Sequence, residues 1–573
     1  MGRDASIVLA GAAGQGIETV AGMLSSILKQ SGYYVFVTRE FMSRIRGGTN
    51  SLQLRVSDTR VGAYSRNTDI AIPLNKSALP HLRKYDRIQG STIIIGEEEF
   101  LERIDDHDED RVISVGFTDI AKNIGKKLYS NTVAAGLIAA FFDVDEDLAI
   151  DYLKERFGEK GEDIIQKNIE AYQKGQEEGK KLAEQKIIKF DMAKTDAAKK
   201  ELLLSGTDGV ALGAIAGGCN FIASYPMSPS TGVLTFLADQ SQEFGILVDQ
   251  TEDEISAINK GVGAWYAGAR AMVTTSGGGF ALMTEGLSLA GMMESPMVIH
   301  LAQRPGPATG LPTRSGQEDL MHALNAAHGE FPRIIFSPGT PEDAFYLTQG
   351  AFNLAAKFQV PVIILTDQFL VDSSGNASKL LLDDLQVLKH IVKTDKDYKR
   401  YRLTEEGISP RGIPGHGEGI VVADSDEHDE EGHITEDLHL REKMVDKRLK
   451  KKYSLIRDAA LPPIIDGPET YSKLVIVWGS NYLVAKEAVE KIGRDDVAVA
   501  YFRQVYPLSD NTEDLFKDIE QVCIIENNAT GQFARLLHSE INFWIPEDGR
   551  FLKYNGLPFA VEEVVEFLSN YFK

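Results

Sequence analysis

The stretch ARAMVTTSGGGFALMTEGLSLAGMMESP, residues 269–296, constrains the fold of this chain more than any other. Its apolar, β-branched start reads as a buried strand, the glycines as a tight turn, and the periodic segment after them as a helix. Three consecutive glycines, Gly277, Gly278 and Gly279, lose more backbone entropy than a plain turn requires. They point to close approach by a ligand or by another stretch of backbone. The same strand–turn–helix unit recurs nearby, with FIASYP, FGILVDQ, MVIHLAQ, RIIFSP and VPVIILTD as strands and helical patterns between them. Such alternation predicts parallel strands joined by right-handed crossovers.

At 573 residues the chain is too long for one core, because single cores seldom serve more than about 250–300 residues. The pattern predicts an α/β protein with three α/β domains. Residues 1–185 form the first, opening with the strand ASIVLAG and the helix IETVAGMLSSILKQSG. Residues 186–200 read as a helical linker, 201–375 as the domain holding the glycine triplet, and 465–573 as the last. Between them, 376–464 carries the acid run DSDEHDEE and the basic run KMVDKRLKKKY. That composition predicts an extended arm ending in a charged helix, solvated or bridging subunits.

Charge and cysteine usage exclude several classes. With 61 basic against 84 acidic residues the formal charge is -23, unsuited to neutralising nucleic-acid phosphates. The two cysteines, Cys219 and Cys523, exclude a disulfide framework and a four-cysteine iron–sulfur cluster held by this chain alone. No apolar run approaches the roughly 20 residues that span a bilayer, and the first residues do not read as a cleavable leader. The expectation is a cytoplasmic protein without membrane or nucleic-acid partners.

Several segments carry candidate chemistry, each beside a plainer alternative. GAAGQG at 11–16 follows a strand and opens a helix, where free N–H groups favour a phosphate, so Gly14 and Gly16 are candidate phosphate contacts. Its glycines fall as GxxGxG, not as the dinucleotide fingerprint GxGxxG, which counts against a NAD-dependent dehydrogenase. Arg39, Arg44 and Arg46 cluster before Gly47 and Gly48; they suit a phosphate or a solvated loop. In QTEDEISAINKG, Glu254 could be a buried carboxylate aimed at a ligand. Pattern alone favours a T-x-x-E capping box of Thr251 and Glu254. In QRPGPATGLPTRSGQEDL, Arg304 and Arg314 flank a loop stiffened by prolines, and a guanidinium fork suits a carboxylate. NFIASYPMSPST ends a strand in Tyr225, Pro226, Met227, Ser228 and Pro229 and reads either as architecture before a helix or as an anion seat. His428 and His433 lack any usual metal-ligand spacing and read as a solvated loop.

Together these motifs resemble the 2-oxoacid:ferredoxin oxidoreductases, and in particular the long subunit with a gamma-type domain fused ahead of the alpha domains. GAAGQGIETVAGML with RIRGGTN resembles the gamma part. GVALGAIAGGCNFIASYPMSPST, EDEISAINKGVGAWYAGARAMVTTSGGGFALMTEGLSLA and QRPGPATGLPTRSGQEDL resemble the pyrimidine-binding domain of the alpha part. SPRGIPG, EHDEEGHITED and ENNATGQF resemble its later segments, the last within a transketolase-C-like domain. The likeness covers nearly the whole chain.

The resemblance implies oxidative decarboxylation of a 2-oxoacid with coenzyme A, giving acyl-CoA, carbon dioxide and electrons for ferredoxin, or the reverse carbon dioxide fixation. It implies thiamine diphosphate shared with a beta subunit that carries Mg²⁺ and a [4Fe–4S] cluster, in an (alpha–beta)₂ assembly. Glu254 matches the family's catalytic glutamate at the aminopyrimidine, beside Tyr225, Pro226, Gly277 and Gly278. Ser228 stands where the family has a carboxylate-binding threonine, Arg304 matches its carboxylate-binding arginine, and Ala308 replaces a usual serine. Arg314 could reach a distal carboxylate, which suits 2-oxoglutarate and its product succinyl-CoA; pyruvate or broad specificity is the alternative. Gly14, Gly16 and Arg46 are then candidates for coenzyme A phosphates. A non-catalytic scaffold subunit is the reading from another class.

Overall fold

The computed structural model describes residues 4–12, 16–42, 48–101, 111–185, 188 and 190–573. The chain divides into two units: Met1–Leu204 with Ser373–Lys379 and Ala560–Glu562, and Ser205–Asp372 with Leu380–Phe559 and Glu563–Lys573.

The first unit is built on a mixed eight-stranded sheet. Val112–Ser114, Ile93–Gly96, Ile70–Pro73 and Asp4–Ala12 run parallel, and Thr49–Ser57, Tyr34–Glu40 and Ser374–Ala377 continue the sheet antiparallel. Ile7, Leu9, Leu52 and Leu54 face a core shared with the helix Ile17–Ser31. The highly charged segment Glu162–Glu184 is a single helix, and its charge does not keep it in solvent. Ile165, Ile169, Tyr172, Gly175 and Gly179 make one buried face. A Cβ at Gly175 would stand 1.9 Å from the carbonyl oxygen of Val133, so glycine there lets this helix touch the backbone of Ser130–Ala140.

The second unit holds two sheets. The larger has the strand order Gln504–Tyr506, Ile334–Phe336, Pro361–Asp367, Met297–Gln303, Ala271–Thr275, Phe221–Ser224 and Leu247–Gln250. All its pairings are parallel except that of Gln504–Tyr506 with Ile334–Phe336. The run of buried residues in its central strands is what two helix-covered faces require. The smaller sheet orders Ile464–Asp466, Val497–Phe502, Lys473–Trp478, Gln521–Glu526 and Arg550–Leu552, antiparallel only at Ile464–Asp466. Parallel alternation is thus present where the sequence predicts it. Among the described residues no helix is long and apolar enough to cross a membrane.

The arm departs from its sequence reading. Its charged helix, Leu438–Ala459, buries Met444, Lys447, Arg448, Lys451 and Leu455. Lys447 and Lys451 both pair with Glu294, all three side chains being about 1% exposed. Arg400 adds hydrogen bonds to the Glu294 carbonyl (2.8 Å) and to Gln359 Oε1 (2.8 Å). Burial opposes each charge; the two ammonium groups nevertheless hold the Glu294 carboxyl far below its ordinary range, and desolvation lowers Lys451 to about 7. His428 is fully buried against Tyr401, with ring centroids 3.8 Å apart, whereas His433 is exposed. The solvated-loop expectation therefore fails at His428. The acid run folds back on itself, Asp429 N–H bonding the His433 carbonyl, and Glu427 pairs with Arg441 and Arg448. Among the described residues no His/Cys/Asp/Glu group could hold a metal ion.

Removing one member of a buried ion cluster strands the others, at a cost of about 3–5 kcal/mol. Glu294→Ala is therefore expected to lower the thermal unfolding midpoint, and Glu294→Met combined with Lys447→Met and Lys451→Met to recover much of it, as read by calorimetry.

Candidate active site

Parallel registry decides where the candidate residues meet. Ser224 is in register with Thr274 and with Gln250, and Thr275 with Leu301, so four strands end at one edge of the larger sheet. The segments beginning at Tyr225, Thr251, Ser276 and Arg304 all leave that edge, which is where open α/β sheets bind ligands.

Glu254 is the first residue of the helix Glu254–Tyr266 and is 3% exposed. The capping box favoured by pattern is absent. Asp253 caps the helix, accepting from the Ser256 N–H at 2.7 Å, and the Thr251 hydroxyl donates to the Asp253 carbonyl instead. Glu254 is thereby released from capping, and its buried Oε1 has no hydrogen-bond partner. Glu252, two residues before it, is exposed.

The glycine triplet opens the short helix Gly277–Leu282. A Cβ at Gly279 would lie 2.2 Å from Thr275 Oγ1 and 2.5 Å from Glu254 Oε1. One at Gly277 would lie 2.4 Å from Asp319 Oδ1, while Gly278 is open to solvent. Glycine is needed so that two carboxylates can approach the turn. Ser276, just before it, is buried with an unpartnered hydroxyl. Buried polar atoms are ordinarily satisfied, so the three orphans around this turn, Glu254 Oε1, Ser276 Oγ and Asp319 Oδ2, make it the candidate place for a polar ligand.

Around this turn lie the remaining candidates. Arg304 donates from Nη1 to the Ser228 carbonyl at 2.6 Å, joining the two segments, and burial lowers its pKa. The Ser228 hydroxyl is thus left apart from that contact, on an exposed residue. Ser230 precedes the helix Thr231–Asp239 without capping it, its hydroxyl donating back to the Met227 carbonyl at 2.8 Å. Pro226 is half-buried and Tyr225 is 40% exposed. The loop after Arg304 is folded tightly on itself: a Cβ at Gly310 would meet the Pro305 carbonyl oxygen at 1.9 Å, and Ala308 sits at a φ of 53°. Positive φ at a non-glycine residue stores strain. Arg314 lies further along the loop, its stem beside Gly556.

Asp319 is the residue sequence reasoning missed. It is the last residue but one of the quoted QEDL segment, where an acidic residue before an apolar helix reads as an ordinary start signal. In the fold it makes no side-chain cap; the residue is half-buried, its inward Oδ2 lacks a partner, and desolvation pushes its pKa up to about 7. ENNATGQF proves architectural: Glu526 accepts from the N–H groups of Phe533 and Ala534 and from Asn528 and Trp478. Gln317, on the site loop, bonds the Trp478 carbonyl and receives Asn481, tying the loop to the smaller sheet.

In the first unit, Gly16 adopts a left-handed conformation with φ 78°, and a Cβ there would meet Asn131 Nδ2 at 2.3 Å. Gly14 and Arg46 lie outside the described residues.

Comparison with known proteins shows what the chain as a whole is similar to. Residues 212–447 match the family model described as pyruvate flavodoxin/ferredoxin oxidoreductase, thiamine diphosphate-binding, and residues 6–178 match that of pyruvate ferredoxin/flavodoxin oxidoreductase. The 2-oxoacid:ferredoxin oxidoreductase subunit alpha of a Sulfolobus species is 30% identical, over 99% of this chain and 97% of its own. The 2-oxoglutarate synthase subunit KorA of Archaeoglobus fulgidus is 30% identical, over 59% of this chain and 96% of its own. Among solved structures, the 2-oxoglutarate:ferredoxin oxidoreductase from Magnetococcus marinus, with 2-oxoglutarate, coenzyme A and succinyl-CoA bound, superposes with a TM-score of 0.92 at 30% identity and full coverage of both chains. With its glycine turn, its orphaned carboxylate and a likeness running from end to end, the chain belongs to the alpha subunits of the 2-oxoacid:ferredoxin oxidoreductases.

Proposed function

We propose that this alpha subunit serves the oxidative decarboxylation of 2-oxoglutarate with coenzyme A to succinyl-CoA and carbon dioxide, with two electrons passed to ferredoxin. The observation that carries the site reading is Glu254, a buried carboxylate whose Oε1 has no protein partner and lies against Gly279. These residues fit thiamine diphosphate. Glu254, Tyr225, Pro226, Gly277 and Gly278 would hold its pyrimidine end, with an unpartnered carboxylate oxygen at Glu254 and no side chain at the two glycines to obstruct it. When bound, the cofactor supplies the nucleophilic carbon and electron sink that 2-oxoacid chemistry needs.

The chain's own residues bind, orient and exclude water. Glu254, 3% exposed, would offer Oε1 as a hydrogen-bond partner to the cofactor's aminopyrimidine in a setting that excludes water. Arg304 offers its guanidinium to the 1-carboxylate, and the Ser228 hydroxyl donates to the same group. Arg314 reaches toward a distal carboxylate, the feature that favours 2-oxoglutarate over pyruvate. The names of the relatives from Archaeoglobus fulgidus and Magnetococcus marinus support the same substrate.

Part of the machinery is assigned to a beta subunit. Tyr225, Ile255, Leu282 and Leu311, each within a few residues of the site, are 40%, 50%, 51% and 48% exposed, a rim suited to an apolar partner. We assign to that partner the Mg²⁺, the diphosphate and the [4Fe–4S] cluster, in an (alpha–beta)₂ assembly of the cytoplasm. Coenzyme A phosphates are assigned to Gly14, Gly16 and Arg46. The same proposal divides the chain into a gamma-type domain at 1–185, a pyrimidine-binding domain at 201–375 and a transketolase-C-like domain at 465–573, joined by the linker 186–200 and the arm 376–464.

In the assembled complex, Glu254→Gln should lower kcat by about 10²–10⁴-fold while the complex stays intact by gel filtration; full activity would favour a scaffold role. Ser228→Ala should raise the 2-oxoacid KM by about 2–10-fold, the worth of one hydrogen bond, and leave thiamine diphosphate affinity unmoved. Ferredoxin reduction with pyruvate and coenzyme A but not with 2-oxoglutarate would overturn the substrate assignment.

A further inference from the structure

The loop that begins at Arg304 leaves the larger sheet and comes to rest on the smaller one. There Lys473–Trp478, Gln521–Glu526 and Arg550–Leu552 run parallel, so the segments after Trp478, Glu526 and Leu552 emerge on one side. Each strand end meets the loop. Gln317 Nε2 donates to the Trp478 carbonyl at 3.0 Å. The Gln317 N–H donates to the Asn527 carbonyl at 2.7 Å, and the Asn527 N–H returns a bond to Gln317 Oε1 at 3.1 Å. The Ser315 N–H donates to the Gly556 carbonyl at 3.1 Å. Beyond them, the carboxamide of Gln532 donates to the Glu318 carbonyl at 2.7 Å and accepts from the Met321 N–H at 2.9 Å. The second half of the loop is thus pinned along its backbone.

Gly556 stands where this pinned stretch carries Arg314. It is buried at a φ of 84°, although Tyr554 and Asn555 just before it are exposed. Its turn is fixed from its own side as well. The Leu557 N–H donates to Asn555 Oδ1 at 3.1 Å, Asn527 Nδ2 to the Leu557 carbonyl at 3.3 Å, and Lys553 Nζ to the Pro558 carbonyl at 2.8 Å. A Cβ at Gly556 would lie 3.1 Å from Arg314 Cβ, 3.4 Å from Arg314 Cγ and 3.1 Å from Leu311 Cδ1. Carbon atoms ordinarily keep about 3.5–4.0 Å between them. With both backbones held, the crowding cannot be relieved by parting them, so a methyl group at 556 must turn the Arg314 stem. An arginine stem has several staggered rotamers, and the one that is packed decides where the guanidinium fork points.

We propose that Gly556 is a specificity-determining positioning residue: the bare backbone it offers seats the Arg314 stem so that the guanidinium meets the distal carboxylate of a dicarboxylic 2-oxoacid. This rests on the reading of Arg314 as that carboxylate's partner. The 1-carboxylate is assigned to Arg304 and Ser228 at the other end of the loop. A disturbance at Gly556 is therefore felt by a substrate with a second carboxylate and not by one without it. Selection between 2-oxoacids is then set from the smaller sheet, apart from the glycine turn where the cofactor is assigned.

The test compares 2-oxoglutarate with 2-oxopentanoate, which has the same carbon chain and no distal carboxylate, in the assembled alpha–beta complex. 2-Oxopentanoate is followed as a substrate or, where it does not turn over, as a competitive inhibitor. Gly556→Ala is expected to raise the 2-oxoglutarate KM by about 10-fold, the worth of one hydrogen bond to a charged group, and to leave the 2-oxopentanoate constant within about 2-fold. Equal rises for both acids would mean a general disturbance of the loop and overturn the proposal; so would no rise for either. In an Arg314→Met background Gly556→Ala should add less than about 2-fold, because the residue it acts through is gone. An undiminished effect there overturns it too. If Gly556→Ala does not assemble, Asn555→Ala, which loosens the turn without adding an atom at 556, decides: it should raise the 2-oxoglutarate KM alone, and an unchanged KM sinks the proposal. Arg314→Met by itself separates the two readings. If it leaves the 2-oxoglutarate KM unchanged, the assignment of Arg314 has failed and the role of Gly556 falls with it; if it raises that KM while Gly556→Ala does not, only the role of Gly556 has failed.

Discussion

Everything at the candidate site depends on the parallel registry of four strands in the larger sheet. Because Phe221–Ser224, Leu247–Gln250, Ala271–Thr275 and Met297–Gln303 run the same way, their carboxyl ends release four segments on one edge. Residues more than 70 positions apart, such as Ser228 and Arg304, then come within one hydrogen bond of each other. An antiparallel arrangement of the same strands would send half of these segments to the opposite edge.

That edge is left with buried polar atoms that the chain itself does not satisfy. Glycine at 277 and 279 admits two carboxylates to a turn where any side chain would collide with them. Neither carboxylate is fully hydrogen-bonded, and Ser276 beside them is not either. Leaving such groups unmet costs about 1–3 kcal/mol each, a burden that a purely structural turn would not carry. The strained φ of Ala308 belongs to the same pattern, since local rules are broken where function needs geometry.

Stability is supplied elsewhere in the second unit. The arm is anchored by Glu294 with Lys447, Lys451 and Arg400, a cluster buried so completely that its members cannot be solvated separately. The smaller sheet is joined to the site loop through Gln317 and Gln532, so the loop is braced from behind while its rim stays exposed. A rigid support under an open edge is what a site completed by another subunit requires.

The sequence alone determined the α/β class, the alternation behind the parallel sheets and the family. Those follow from local periodicity and from motifs whose residues are contiguous. What it misjudged or missed depends on partners distant in the chain. Thr251 and Glu254 had the spacing of a capping box, but Asp253 takes the cap once the strand edge fixes the turn, and Glu254 turns inward. The acid and base runs of the arm looked solvated because charge is read one segment at a time; only the fold sets Glu294 between two lysines more than 150 positions away. Asp319 looked like an ordinary helix start until the fold brought Gly277 against its carboxylate. Composition and period can state which residues could be buried or charged. Which charge meets which, and which is left without a partner, was decided by the tertiary structure, because burial and electrostatics act between neighbours in space.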